Sequence, residues 1–173
     1  PNEEFIYIDI SSVESGTGRI LNVKKILGKD APSRARRVVH TNDIIMSTVR
    51  PYLRSFAIIP QKYDNQICST GFAVLSCRQD ILPKYLLYAL FSDTVIQQCN
   101  EMMIGAHYPA LRIDQVARIK IPVPPLKQQK RIAEYFDQMI EAVNSLKELQ
   151  RKTEEELQNL VPSILDKAFK GEL

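Results

Sequence analysis

Five arginines are the residues of this chain best suited to hold an anion. Arg34, Arg36, Arg37, Arg50 and Arg54 fall between Ala31 and Arg54, a stretch in which Asp43 is the only acid. A guanidinium is planar and always charged, and its fork grips a phosphate, or the guanine edge of the major groove, with two bonds at once. Ser33, Ser47, Thr48 and Tyr52 lie among these arginines and can donate to phosphates or bases. The competing reading is a set of solvated arginines and internal ion pairs, and the local scarcity of acids weighs against it. The formal net charge of +3 conceals the patch, because Glu154, Glu155 and Glu156 offset it far along the chain.

Three further stretches offer binding groups. In GAHYPALR, residues 105–112, Gly105 and Pro109 shape a loop that can present His107, Tyr108 and Arg112. A lone His in a turn is more often structural, so this signal is weak alone. In NQICSTGF, residues 65–72, Asn65 and Gln66 can read adenine through paired hydrogen bonds, and Ser69 and Thr70 can donate. Turn formation is the commoner role of Asn and Ser. Lys127, Lys130 and Arg131 cluster in the first turn of a later helix, where cations oppose the helix dipole.

Catalytic constellations are not found. The chain has no Walker loop, GxGxxG, HExxH or GxSxG elbow. Asp9, Glu14 and Asp43 have no spacing that singles out a metal-dependent nuclease, and His40 and His107 are too few for a metal set. An adenine methyltransferase needs a cofactor loop and an Asn/Asp-Pro-Pro-aromatic pocket, and neither occurs. We expect a chain that performs no chemistry by itself and binds no cofactor or metal. Cys68, Cys77 and Cys99 lack CxxC spacing, which points to a reducing, cytoplasmic setting. No apolar run reaches membrane-spanning length and no signal peptide is visible. The opening at Pro1 is expected to be a processed end or a truncated domain.

The elements that must position these groups fall into a strand-rich α+β head with short helices, residues 1–121, and a long coiled-coil-forming arm, residues 122–173. Phe5–Ile10 alternates and reads as a strand. Arg19–Ile26 is a second extended piece, and 29–37 is an exposed loop. Val38–Val39 and 43–47 are strands around a Thr41-Asn42-Asp43 turn. Residues 49–54 begin extended and are interrupted by Pro51, and Phe56–Pro60 is a further strand. Residues 66–76 form a strand pair, or one strand bulged at Gly71. The period turns helical over Leu82–Leu90 and on to about Met103. Val116–Ile121 reads as a last strand.

Pro122, Pro124 and Pro125 prevent a helix from starting before Leu126. From Ile132 onward, Met139, Leu146, Thr153 and Leu160 recur every seven residues, with Tyr135/Phe136, Ala142/Val143, Leu149 and Leu157 between them. That is a heptad seam, and a helix of roughly 45 Å cannot cover it alone. Pro162 is expected to break the arm, with Ser163 capping a short helix that Gly171 stops.

In order along the chain, YIDISSVESG, APSRARR, DIIMSTVRPYLR, NQICSTGF, GAHYPALR, IPVPPLKQQKRI and PSILDKAFKGEL resemble the specificity (S) subunits of type I restriction-modification enzymes. The resemblance covers nearly the whole chain. It implies a domain that reads one part of a split sequence in double-stranded DNA, and helices that pair as an antiparallel ruler. It also implies methyltransferase (M) and restriction (R) subunits as partners. S-adenosylmethionine, ATP and Mg would belong to those partners. The family pattern has two recognition domains and two helical regions, whereas this chain has one of each. A half-subunit that dimerises, a fragment paired with a second S half, and a coiled-coil scaffold without DNA affinity of its own therefore all stand as expectations. The DNA contacts expected are Arg34, Arg36, Arg37, Thr48, Arg50, Arg54, Tyr108 and Arg112.

Overall fold

The computed structural model describes residues 3–103 and 109–171. Seven short strands form two sheets: β1 Glu4–Ile8, β2 Lys24–Leu27, β3 Ala35–Val39, β4 Ile44–Ser47, β5 Phe56–Ile58, β6 Gln66–Ser69 and β7 Phe72–Leu75. The first sheet has the order β2-β1-β6-β3 and the second β5-β4-β7. Within the first, β1 and β6 run parallel, and β2 and β3 flank them antiparallel. The two candidate readings of residues 66–76 resolve into a pair of strands in different sheets, with Thr70 and Gly71 as the crossing. A Cβ at Gly71 would stand 2.7 Å from Ile10 Cδ1, so a larger residue would have to push that methyl aside.

The middle layer explains an unusual run. Every residue of β4 is buried. Ile44 and Met46 join Phe56 and Ala73 against helices α1, Pro83–Leu90, and α2, Asp93–Met102. Ile45 points the other way and packs with Ile8, Val39 and Cys68 of the first sheet, together with Phe72 of β7. A strand covered on both faces needs apolar residues at successive positions, which is why IIM does not alternate with polar ones. The turn before it uses Asn42 at φ 69°, a left-handed conformation that Asn tolerates.

All three cysteines are free. Burial pushes the Cys68 thiol up to about 12 and the Cys99 thiol to about 11, so both stay protonated and inert at neutral pH.

Two segments before the last helix depart from the sequence reading. Arg36 and Arg37 lie in β3, an edge strand, rather than in a loop. Charged side chains suit an edge, because they deter pairing with another sheet. Val116–Ile121 is not a strand: Ile113–Val116 forms α3, and no strand follows it. The backbone of Lys120 finds its partner in a side chain instead. Its N–H donates to Gln98 Oε1 at 2.8 Å, and its carbonyl accepts from Gln98 Nε2 at 2.9 Å.

Glutamine amides recur in that role. Gln66 accepts from Ile6 N–H at 2.7 Å, and Gln115 accepts from Arg112 N–H and donates to the Met102 carbonyl. Gln129 is the most deeply placed, with no exposed surface. Its Oε1 accepts from Leu82 N–H at 2.9 Å, and its Nε2 donates to the carbonyls of Asp80 and Pro124, both at 2.8 Å. One amide thus joins the loop before α1, the proline segment and the first turn of the last helix. Tyr85 adds a bond from its hydroxyl to the Pro122 carbonyl.

That last helix, α4, runs from Leu126 to Lys170. It begins where the prolines end, as expected. The break expected at Pro162 does not occur, and Ser163 is not a cap, because Pro162 lies inside α4. The missing amide removes one bond, to the carbonyl of Gln158, and costs about 3 kcal/mol. Helix formers on both sides carry the helix on to Gly171, whose φ of 72° suits a C-terminal stop.

The chain divides into a compact unit reaching Ala133 and a second unit, Glu134–Leu173. The first two turns of α4 therefore belong to the first unit. In the second unit Tyr135, Phe136, Met139, Val143, Leu146, Leu149, Leu157 and Leu160 are all exposed, and Phe169 is 90% exposed. Arg151 pairs with Glu148 and Glu155, and Lys152 approaches Glu148 at 4.0 Å. Such exposed pairs add only tenths of a kcal/mol each.

Replacing Gln129 with Leu leaves Leu82 N–H without its acceptor in a packed site. We predict a loss of about 2 kcal/mol, read as a lower urea midpoint with an unchanged m-value.

Candidate nucleic-acid interface

The blocks that carry the candidate residues are far apart in sequence and are joined by backbone hydrogen bonds. Thr70 N–H donates to the Arg34 carbonyl at 2.9 Å. Beside it, the Gly71 carbonyl accepts from both Thr48 N–H, at 2.8 Å, and Thr48 Oγ1, at 2.9 Å. Leu111 N–H then donates to the Thr48 carbonyl, and Arg50 N–H donates to the Pro109 carbonyl at 3.0 Å. An antiparallel bridge links Val49 and Ala110. Residues 34, 70–71, 48–50 and 109–111 are thereby linked in one continuous series.

Within this series the sequence candidates separate by environment. Arg34, Arg36 and Arg50 are exposed. Arg36 is steadied by a bond from its Nε to the Ser33 carbonyl at 2.7 Å. Arg37 is half-buried in β3, and its charge partly offsets the upward push of burial on the Cys68 thiol. Thr48 is buried and its hydroxyl is spent on Gly71, so it locks the turn instead of facing a ligand.

Arg54 and Arg112 have carboxylate partners. Arg54 is paired with Asp93 at the start of α2, and its Nε is buried without an acceptor. Because the Asp93 side chain is 97% exposed, that pair contributes little to stability. Arg112 bonds Asp114 at 3.1 Å, and this bond holds the Asp114 carboxyl below the usual carboxylate range. His107 and Tyr108 lie outside the described residues. In NQICSTGF, Ser69 is buried and Gln66 is engaged with Ile6, while Thr70 is exposed.

The acids considered for chemistry are structural. Asp9 caps a short 3-10 turn, Glu14 bonds Arg19 and Thr17, and Asp43 accepts from His40 N–H and the Ser76 hydroxyl. Among the described residues, no group of three His, Cys, Asp or Glu is placed to hold a metal. Nor is any helix among them long and apolar enough to cross a membrane.

One feature was not singled out from the sequence. Pro51–Leu53 form a 3-10 turn closed at both ends by left-handed arginines, Arg50 at φ 48° and Arg54 at φ 54°. Non-glycine residues in that region each cost on the order of 1–2 kcal/mol, a cost found most often at functional sites. At the tip, Tyr52 is 42% and Leu53 49% exposed. The available signal was the string RPYLR, an apolar pair between arginines.

An uncharged substitution separates support from contact at this edge. Thr48→Val should cost about 1 kcal/mol in chemical unfolding, because one of the two bonds to Gly71 is lost. The other, from Thr48 N–H, remains and should keep the turn in place.

Comparison with known proteins places this geometry in a family. Residues 2–157 match the family described as type I restriction modification DNA specificity domain. The EcoDI type I restriction enzyme specificity subunit of Escherichia coli is 27% identical over 170 residues, which is 97% of this chain and 36% of that protein. The HindI specificity subunit of Haemophilus influenzae is 23% identical over 166 residues, 94% of this chain and 33% of that protein. The crystal structure of the HsdS subunit from Thermoanaerobacter tengcongensis superposes with a TM-score of 0.81 at 38% identity, over 92% of this chain and 42% of that one. A structure described for complex assembly and conformational transition of the type I R-M system gives a TM-score of 0.83 at 36% identity, over 97% of this chain and 44% of that one. The chain spans about a third of the length of these two curated relatives. Its strand-rich body and long helix match those structures, and the chain belongs to the type I restriction-modification DNA specificity family.

Proposed function

We propose that this chain is one recognition unit of a type I specificity subunit. Its body reads one part of a split target in duplex DNA, and its long helix pairs with a second helix, from another copy or from a second S half. The observation that carries the reading is the set of exposed arginines, Arg34, Arg36 and Arg50, on an edge assembled from separate sequence blocks. Their side chains reach solvent, and Asp43, the acid between Ala31 and Arg54, is buried and satisfied elsewhere.

The chemistry lies with partners. Methyltransferase subunits would dock on this chain and supply S-adenosylmethionine-dependent adenine methylation. Restriction subunits would supply ATP- and Mg-dependent cleavage. The chain itself holds no cofactor in this account, performs no reaction, and works in the cytoplasm beside the DNA. Family membership and the coiled-coil seam support this division of labour.

Within the set of expected contacts, Arg34, Arg36 and Arg50 have the environment of phosphate or base ligands. Arg37 is placed to act on the DNA only through its half-exposed end. Arg54 and Arg112 would first have to leave Asp93 and Asp114.

The test is a binding titration over a range of salt. Arg34→Ala and Arg50→Ala should each reduce the slope of log affinity against log salt by about one if the side chain meets a phosphate. A base-reading arginine would instead relax preference at one position by roughly 1–3 kcal/mol. If the unaltered chain associates but shifts no duplex even at low salt, it is a protein-interaction scaffold and the DNA reading is wrong.

A further inference from the structure

We propose that Tyr52 and Leu53 form a rigid apolar tip that packs against the bases of duplex DNA, with Arg50 beside it for the backbone. The inference rests on the DNA-reading function proposed above and adds a contact of a different kind.

The tip is built to stay in place. Pro51 is buried, Leu53 N–H donates to the Arg50 carbonyl at 2.9 Å, and Arg54 N–H donates to the Pro51 carbonyl at 2.8 Å. Outside the turn, Arg50 N–H is held by the Pro109 carbonyl and the Arg54 carbonyl by Gly16 N–H, at 3.0 Å in each case. Arg54 is anchored on Asp93. The turn is thus braced on both sides by separate parts of the body, and its two ends remain in the left-handed region without glycine. A braced turn of this kind presents its side chains without losing much freedom on binding.

Its side chains are the wrong ones to leave in water. Tyr52 and Leu53 are neighbours at the apex and both are exposed. The occupant that fits is identified by what lies beside them. Arg50 is exposed at one end, and backbone bonds through Thr48, Gly71 and Thr70 lead on to Arg34, also exposed. An apolar tip set in a cationic edge complements a polyanion that carries apolar faces inside a charged rim. Duplex DNA has that composition: phosphates outside, base edges within the groove, and apolar base faces that open where a side chain wedges into a step. A protein partner would have to supply acids around an apolar pocket.

The chain contains no tryptophan, so Tyr52→Trp introduces a sole indole at the tip. The full chain would be titrated with a duplex enriched by the unaltered chain from a random-sequence pool. We expect the indole emission to be quenched and its access to iodide to fall on binding. Tyr52→Ala should weaken binding by about 5- to 100-fold with an unchanged salt slope, as expected for loss of base packing rather than of a phosphate contact. Tyr52→Phe should retain most of the affinity. Undiminished emission and iodide access in a complex that forms with normal affinity would overturn the proposal and point the tip towards a protein partner. If the unaltered chain enriches no duplex, the DNA reading itself fails, and this contact fails with it.

Discussion

A long helix with an exposed apolar stripe, interrupted by the polar run between Leu149 and Leu157, gains most of its stability when that stripe is covered. From Tyr135 to Phe169 the large apolar side chains of α4 are exposed. Good helix formers and the Arg151 pairs favour the helix locally, but in proteins most helical stability comes from packing an amphipathic face rather than from such terms. Burial of the seam is the missing contribution, and a second helix offering the same period is the surface that fits it. The stripe also accounts for the course of the chain at Pro162. Val161, Ile164 and Leu165 extend the apolar face across the proline, so a partner covering that face would stabilise the helix on both sides.

The body is organised by a second constraint, that buried backbone groups need partners. Its strands are short, and long stretches of chain lie outside them. Backbone bonds in turns and crossings meet most of the remaining demand, and glutamine amides add to it: Gln66, Gln98, Gln115 and Gln129 each pair with backbone from another segment. Gln129 is the most consequential, because it fastens the root of α4 to the loop before α1 and to the prolines. None of these roles was legible in the sequence. Gln129 bonds residues nearly fifty positions away, and a polar side chain on the apolar side of a first helical turn was the only local trace. The same cause hid the fate of Val116–Ile121, which has the composition of a strand but begins in α3 and has its Lys120 backbone paired by the side chain of Gln98.

What was legible followed from periodicity. The alternating β1, the apolar β4, the helical stretch after Leu82 and the start of α4 at Leu126 were all visible. So was the arginine-rich stretch, although not the setting of each arginine. A loop was read where β3 carries Arg36 and Arg37, because Pro32 and three arginines suggest exposure, and an edge strand is exposed as well. Thr48 was counted as a donor to ligand, but its partner Gly71 lies in a different block and comes near only through the pairing of β4 with β7. Ion pairing was weighed for the whole cluster, and within it Arg54 is held by Asp93, while Arg112, in another block, is held by Asp114. Tertiary pairing, rather than composition, decides which charges remain for a ligand.

The account stands or falls on the uncovered seam. The direct measurement is sedimentation equilibrium over a wide range of chain concentration, with helical circular dichroism followed on the same samples. A chain that associates at high concentration and loses the helical signal of Glu134–Lys170 as it dissociates is the predicted result. A monomer that keeps this signal at every concentration would show that the helix needs no partner, and would contradict the account.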